Sequence, residues 1–132
     1  MAGQDGIGER AWLAIDLGAG SGRLILGRWK EGTLTTAEVH RFRHEQRRAG
    51  KRLRWSFETL WKEIRVGLGK LATFPGFDVT RLASIGVDAW GVDFGLLDAR
   101  GQLIEDPVSY RDEGTQGSLA RLEERMPRAE IY

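Results

Sequence analysis

The residues with the most chemistry in them form one short stretch, an aspartate followed by three alternating glycines. Asp16 precedes Gly18, Gly20 and Gly22, with Ala19, Ser21 and Arg23 interleaved. Glycine accepts positive φ and lets backbone approach a ligand closely. Several N–H groups gathered in such a turn form a concavity suited to phosphate. The Ser21 hydroxyl and the Arg23 guanidinium add donors of the right kind. A carboxylate beside such a turn points to a hydrated divalent cation, because Mg²⁺ keeps most of its waters and takes only one or two carboxylates. The turn is neither a Walker loop, which requires Gly-Lys-Ser/Thr, nor the dinucleotide fingerprint, whose loop opens a helix where this one opens a strand.

A second acidic cluster lies further along. Leu82 to Val87 is an apolar run, Asp88 ends it, and Trp90, Gly91 and Asp93 follow. The carboxyl ends of strands in open α/β sheets are where ligands bind. Asp16, Asp88 and Asp93 together also fit a second chemistry, the two-metal cleavage of a ribonuclease H-like nuclease. A nuclease, however, has no use for a glycine-serine-arginine turn beside its first acid. A third reading is a non-catalytic binding module. His40 and His44 stand four apart without a carboxylate or thiol set around them, which argues against a metal pair.

The elements that must position these residues follow from patterning. Trp12 to Ile15 is a first strand that runs out at Asp16, and Arg23 to Lys30 is a second. Glu31-Gly32 makes a hairpin turn, and Thr33 to Phe42 a third strand, giving an antiparallel meander. Residues 41–54 carry seven Arg or Lys against one Glu. The block straddles a strand end and the loop around Gly50, has few stacking aromatics, and reads as a solvated hairpin tip rather than a nucleic-acid patch. Leu53 to Trp55 is a short strand. Ser56 is a suitable N-cap for a helix whose stripe is Phe57, Leu60, Trp61, Ile64, Leu68 and Leu71, ended by Pro75-Gly76. Leu82 to Val87, with almost no polar alternation, predicts a central strand covered on both faces. Val92 to Leu97 is expected to be another strand with Asp93 inside it, Asp98 to Gly101 a turn, and Thr115 to Met126 a helix stopped by Pro127. Residues 1–10 read as a disordered lead-in.

The chain has 132 residues, a net charge of +1 and no cysteine. It can bury roughly two-thirds of its unfolded surface. The charge balance supplies no field for nucleic acid or membrane, and the missing cysteine excludes disulfides and thiolate metal sites. The polar N-terminus lacks the apolar core of a secretory signal. A cytoplasmic protein is expected.

Ala14 to Arg23 resembles the first phosphate loop of the FGGY carbohydrate kinases. Ile85-Gly-Val-Asp-Ala-Trp-Gly-Val-Asp-Phe94, Pro107-Val-Ser-Tyr-Arg-Asp112 and Ala129-Glu-Ile-Tyr132 strengthen the resemblance, which runs from about Trp12 to the end. It implies an α/β, ribonuclease H-like (actin-like ATPase) half-domain: a mixed sheet of an antiparallel meander plus a parallel strand, with flanking helices. Residues 11–132 would be the N-terminal part of the first kinase domain. The implied function is phosphoryl transfer from MgATP to the hydroxyl of a ketose such as L-rhamnulose, so the implied partners are a sugar and a nucleotide. By the resemblance, Ala19, Gly20, Ser21, Gly22 and Arg23 contact ATP, and Asp16 faces the metal–phosphate region through water. Trp90, Gly91 and Asp93 shape the sugar site, with Tyr110, Arg111 and Asp112 near the cleft. Gly20 stands where the family often has a second Ser, and Ala89 where it has Thr. The family's catalytic base has no counterpart here and is expected beyond Tyr132, which makes the chain look cut. On its own the chain is expected to be inactive and prone to self-association through its uncovered strand.

Overall fold

The computed structural model describes residues 10–131. The chain divides into two compact units, one built from residues up to Glu45 with Ser56–Val92, the other from Gln46–Trp55 with Asp93–Tyr132. The lead-in expected over residues 1–10 lies outside the described residues except for Arg10, which already belongs to the first strand.

The first unit is a four-stranded sheet with one helix. β1 (Arg10–Leu17) and β2 (Ser21–Lys30) are antiparallel, as are β2 and β3 (Thr33–Arg43). The β2–β3 turn places Glu31 at φ 50° and Gly32 at φ 79°. Two consecutive left-handed residues give the hairpin turn whose twist matches the strands. α1 (Phe57–Ala72) follows, with Ser56 accepting a hydrogen bond from the Thr59 N–H. β6 (Leu82–Asp88) then returns parallel to β1, so the sheet order is β3-β2-β1-β6.

Period-two alternation puts Ala11, Leu13, Ile15, Leu24 and Leu26 on one buried face, where Leu60 and Leu71 join them from α1. Gly67 is what lets the helix lie close: a Cβ there would come within 2.5 Å of Leu24 Cδ2. His40 of β3 fastens the helix from the sheet side, 2.8 Å through Nε2 to Glu63 and 2.9 Å through Nδ1 to Lys70 Nζ. Among the described residues nothing covers the opposite face. Trp12, Ala14, Ile25, Gly27, Leu34 and Gly86 line a shallow apolar hollow of about 380 Å³.

Two expectations for this unit are corrected. β1 does not run out at Asp16 but continues to Leu17, so Asp16 sits within the strand. β6 is not central but the outer strand, with Ile85 and Val87 exposed by 47% and 65%. Its continuous apolar run asks for cover on both faces, and no described residue supplies it.

The second unit is a hairpin, β4 (Gln46–Ala49) and β5 (Arg52–Trp55), turning at Gly50. The extended 107–109 segment lies along β5: Trp55 N–H donates to the Pro107 carbonyl at 3.0 Å, and Ser109 N–H to that of Leu53 at 2.9 Å. The basic block is only partly solvated. Arg47 pairs with Asp106, Arg54 with Glu105 at 2.8 Å, and Arg52 with Asp112 at 2.8 Å. Residues 92–97 are not a strand. Their pairing is a bridge between Leu97 and Leu103, closed by the Asp98 turn in which the Asp98 carboxylate accepts from the Arg100 and Gln102 N–H groups. That ladder is too short to propagate. The helix expected over 115–126 is also broken. Gly117, at φ 71°, starts α2 (Ser118–Glu123) only there, and α3 (Arg128–Ile131) begins after Pro127.

Candidate active site

Asp16 is held between two neighbours by strand register. Arg23 lies opposite it across the β1–β2 hairpin, and Asp88 beside it on parallel β6. Adjacent strands are about 4.8 Å apart, so two carboxylates and one guanidinium share the carboxyl ends of the parallel pair. Arg23 Nη2 donates to Asp16 Oδ2, and both side chains remain partly open to solvent. The glycine loop closes this end. Gly18 N–H donates to the Ser21 carbonyl at 3.0 Å, so that amide is engaged within the turn itself. Ala19 and Gly20 are exposed and Ser21 is half-buried. Gly22 is required for another reason: a Cβ there would lie 2.2 Å from Phe42 Cζ. The base of the loop rests directly on that ring.

The loop after β6 meets the glycine loop. Trp90 Nε1–H donates to the Gly18 carbonyl at 3.1 Å, and the Trp90 ring takes the edge of His44 at 5.3 Å and 85°. His44 is buried, with 5% exposure, and follows Phe42 and His40 on one face of the extended chain. The two histidines therefore align on one face, but Phe42 stands between them and they form no metal pair. Residue types alone discount His44; carrying the period of two from His40 through position 44 would have found it. At Gly91 a Cβ would meet no heavy atom within 4 Å, so no protein contact demands glycine there.

Asp93 belongs to the second unit, where its Oδ2 accepts from Trp55 Nε1–H at 2.5 Å. Asp112 is likewise occupied structurally. It accepts from Leu53 N–H at 2.5 Å, Arg52 Nη1 at 2.8 Å and Gly114 N–H at 2.8 Å. Tyr110 hydroxyl accepts from Arg111 Nε at 3.1 Å.

Two groups here make stability depend on pH. Burial pushes the His44 imidazole below its ordinary value of 6.5, partly countered by the backbone of Ser21 and Gly18. The unfolded chain then binds that proton more readily than the fold. The contribution is complete above the ordinary value and is lost as pH falls below it. Asp112 is held at about 2 by the Leu53 N–H first, then Arg52 and Gly114. Its contribution is present above the ordinary 3.8 and lost as pH falls towards about 2. Urea midpoints recorded from about pH 8 down to about pH 5 should decline in the native chain and decline less in His44→Phe. Equal slopes would remove His44 from the account.

Chemically, the Asp16–Asp88 end offers one or two carboxylates, a donor set that suits hydrated Mg²⁺ carrying phosphate oxygens. Among the described residues no cluster of three or more His, Asp or Glu is arranged to hold a bare ion. Among them, too, no helix is long and apolar enough to cross a membrane.

No protein-family profile matches the chain. It is 43% identical over 125 residues to rhamnulokinase of Klebsiella pneumoniae (strain 342), a match covering 93% of this chain and 25% of that protein. Among solved structures it is similar to xylulose kinase of Rhodospirillum rubrum, with TM-score 0.73, 21% identity, and coverage of 92% of this chain and 24% of the other. Gluconate kinase of Lactobacillus acidophilus gives TM-score 0.74 at 12% identity, covering 94% and 24%. The chain thus spans about a quarter of the length of the proteins it matches. In sequence it is similar to a quarter-length stretch of rhamnulokinase, and in fold to the FGGY-type sugar kinases, with their actin-like α/β architecture.

Proposed function

We propose that residues 11–132 form the opening part of the first domain of an ATP-dependent sugar kinase, which transfers a phosphoryl group from MgATP to a hydroxyl of a ketose such as L-rhamnulose in the cytoplasm. The observation that carries this reading is the Asp16–Arg23 pair beneath the glycine loop, with Asp88 in register beside it. Phosphoryl transfer depends on positioning and charge neutralisation rather than covalent chemistry, and this end of the sheet supplies both. Asp16 would hold a hydrated Mg²⁺, an ion that neutralises charge on the transferred group. Arg23, the Ser21 hydroxyl and the amides of Ala19, Gly20, Ser21 and Gly22 would bind phosphate oxygens. Gly91, in the loop that follows β6, would border the sugar. The general base is assigned to sequence outside this chain. The bare outer edge of β6 supports self-association of the chain when alone, since an unpaired apolar edge recruits other strands.

A nuclease draws no support from the arrangement: Asp93 is hydrogen-bonded to Trp55, and among the described residues no three acids gather to hold an ion. The test is a chimera in which this chain replaces the matching stretch of the Klebsiella pneumoniae rhamnulokinase. ADP release would be coupled to an indicator reaction against a panel of ketoses and polyols. Sugar-dependent turnover is expected, with L-rhamnulose among the substrates. A folded chimera that turns over none of them overturns the proposal.

A further inference from the structure

The glycine loop has few internal restraints. One backbone hydrogen bond, Gly18 to Ser21, closes it, and Gly20 is surrounded by open space. A phosphate site built from loop amides works only if those amides already point the right way, since preorganised donors avoid reorganisation when charge arrives. The restraint comes from outside the loop. Trp90 Nε1–H holds the Gly18 carbonyl from one side. Trp90 is itself fixed by the buried His44 ring, and His44 sits in line with Phe42, the ring on which Gly22 rests. The three rings therefore brace the loop at Gly18 and Gly22, on either side of the residues that would meet phosphate. The same indole links this loop to the one that carries Gly91.

We propose that Trp90 and His44 are positioning residues that hold the glycine loop in its phosphate-binding conformation, with Trp90 acting through the Gly18 carbonyl rather than as a sugar contact. This rests on the kinase reading of the loop, but its first test does not. In the 132-residue chain, amide hydrogen exchange at Gly18, whose N–H is held by the Ser21 carbonyl, should quicken about three- to ten-fold in Trp90→Phe, the loss expected for one neutral hydrogen bond. Exchange in the Leu13–Leu26 ladder should stay unchanged. His44→Ala should give the same local signature, and His44→Phe should restore protection in part, because it returns a ring edge to Trp90 but not the imidazole's approach to the Ser21 and Gly18 backbone. Loop exchange at the native rate in both Trp90→Phe and His44→Ala, or an equal rise across the whole sheet, would overturn the brace. In the active chimera, Trp90→Phe should raise the KM for MgATP about three- to ten-fold with kcat within two-fold, the pattern of lost binding rather than lost chemistry. Faster loop exchange with an unchanged KM for MgATP would also overturn the proposal. A chimera inactive before any substitution would remove the kinase reading and leave the exchange result to decide the brace.

Discussion

Trp55→Ala should cost the second unit about 3–5 kcal/mol, the range for emptying a buried Trp site. Trp55 has 1% exposure, packs 6.4 Å from the Tyr110 ring, and donates its indole N–H to Asp93. Its backbone N–H also carries the bond to Pro107 that begins the extended pairing along β5. A unit this small buries little apolar surface and has little stability to lose, so the substitution should open it locally rather than merely weaken it. Amides such as Ser109, bonded to the Leu53 carbonyl, should exchange at nearly unprotected rates. Trp55→Phe keeps most of the packing and should lose only the hydrogen bond to the Asp93 carboxylate, about 1.5–3 kcal/mol. Native protection at Ser109 in Trp55→Ala would show that the ion pairs of the hairpin, not the indole, hold this unit together.

In the chimeric kinase, Arg23→Ala should lower kcat/KM for MgATP about ten- to hundred-fold, corresponding to about 1.5–3 kcal/mol for a charged hydrogen bond. The loss has two sources. The guanidinium is removed from the phosphate site proposed at the glycine loop, and Asp16 is left beside Asp88 without the Arg23 charge. Arg23→Lys should recover part of the effect, because it restores charge without the planar fork. An unchanged kcat/KM would confine Arg23 to pairing with Asp16.

The elements written most clearly in the sequence were those with a strong local signal. Ser56 with the stripe from Leu60 to Leu71 gave α1, Glu31-Gly32 gave the hairpin, and the apolar runs at Leu13 and Leu82 gave strands. The candidate site was legible as a loop because Asp16 and the glycines lie together in the chain. What local pattern does not carry is the neighbour. The Leu82–Val87 run states that two faces are apolar, not which chain covers them, so local pattern alone places β6 centrally when it is the outer strand. Turn chemistry also outweighed composition. The Asp98 carboxylate folds 92–104 back on itself where apolar residues suggested a strand, and the left-handed Gly117 splits a stretch with helical spacing. His44 is not legible from local pattern because a histidine acquires meaning only from its partners, here Phe42 and Trp90, and Trp90 lies far away in sequence.

The parallel β1–β6 pair also sets an order of assembly. β1, β2 and β3 close through short turns, whereas β6 joins β1 across about 70 residues of intervening chain. Loop closure over such a span must be met before its contacts repay it, so nonlocal parallel pairing is slow. Pulse-labelled exchange during refolding should find β2 and β3 amides protected before those of β6; simultaneous protection would refute the order. Asp88 and Trp90 both arrive with β6. The glycine loop therefore gains the neighbouring Asp88 carboxylate and the Trp90 contact at Gly18 only in the last step of folding, and under the proposed function a nascent chain that has formed the meander alone would carry a loop not yet able to hold a phosphate.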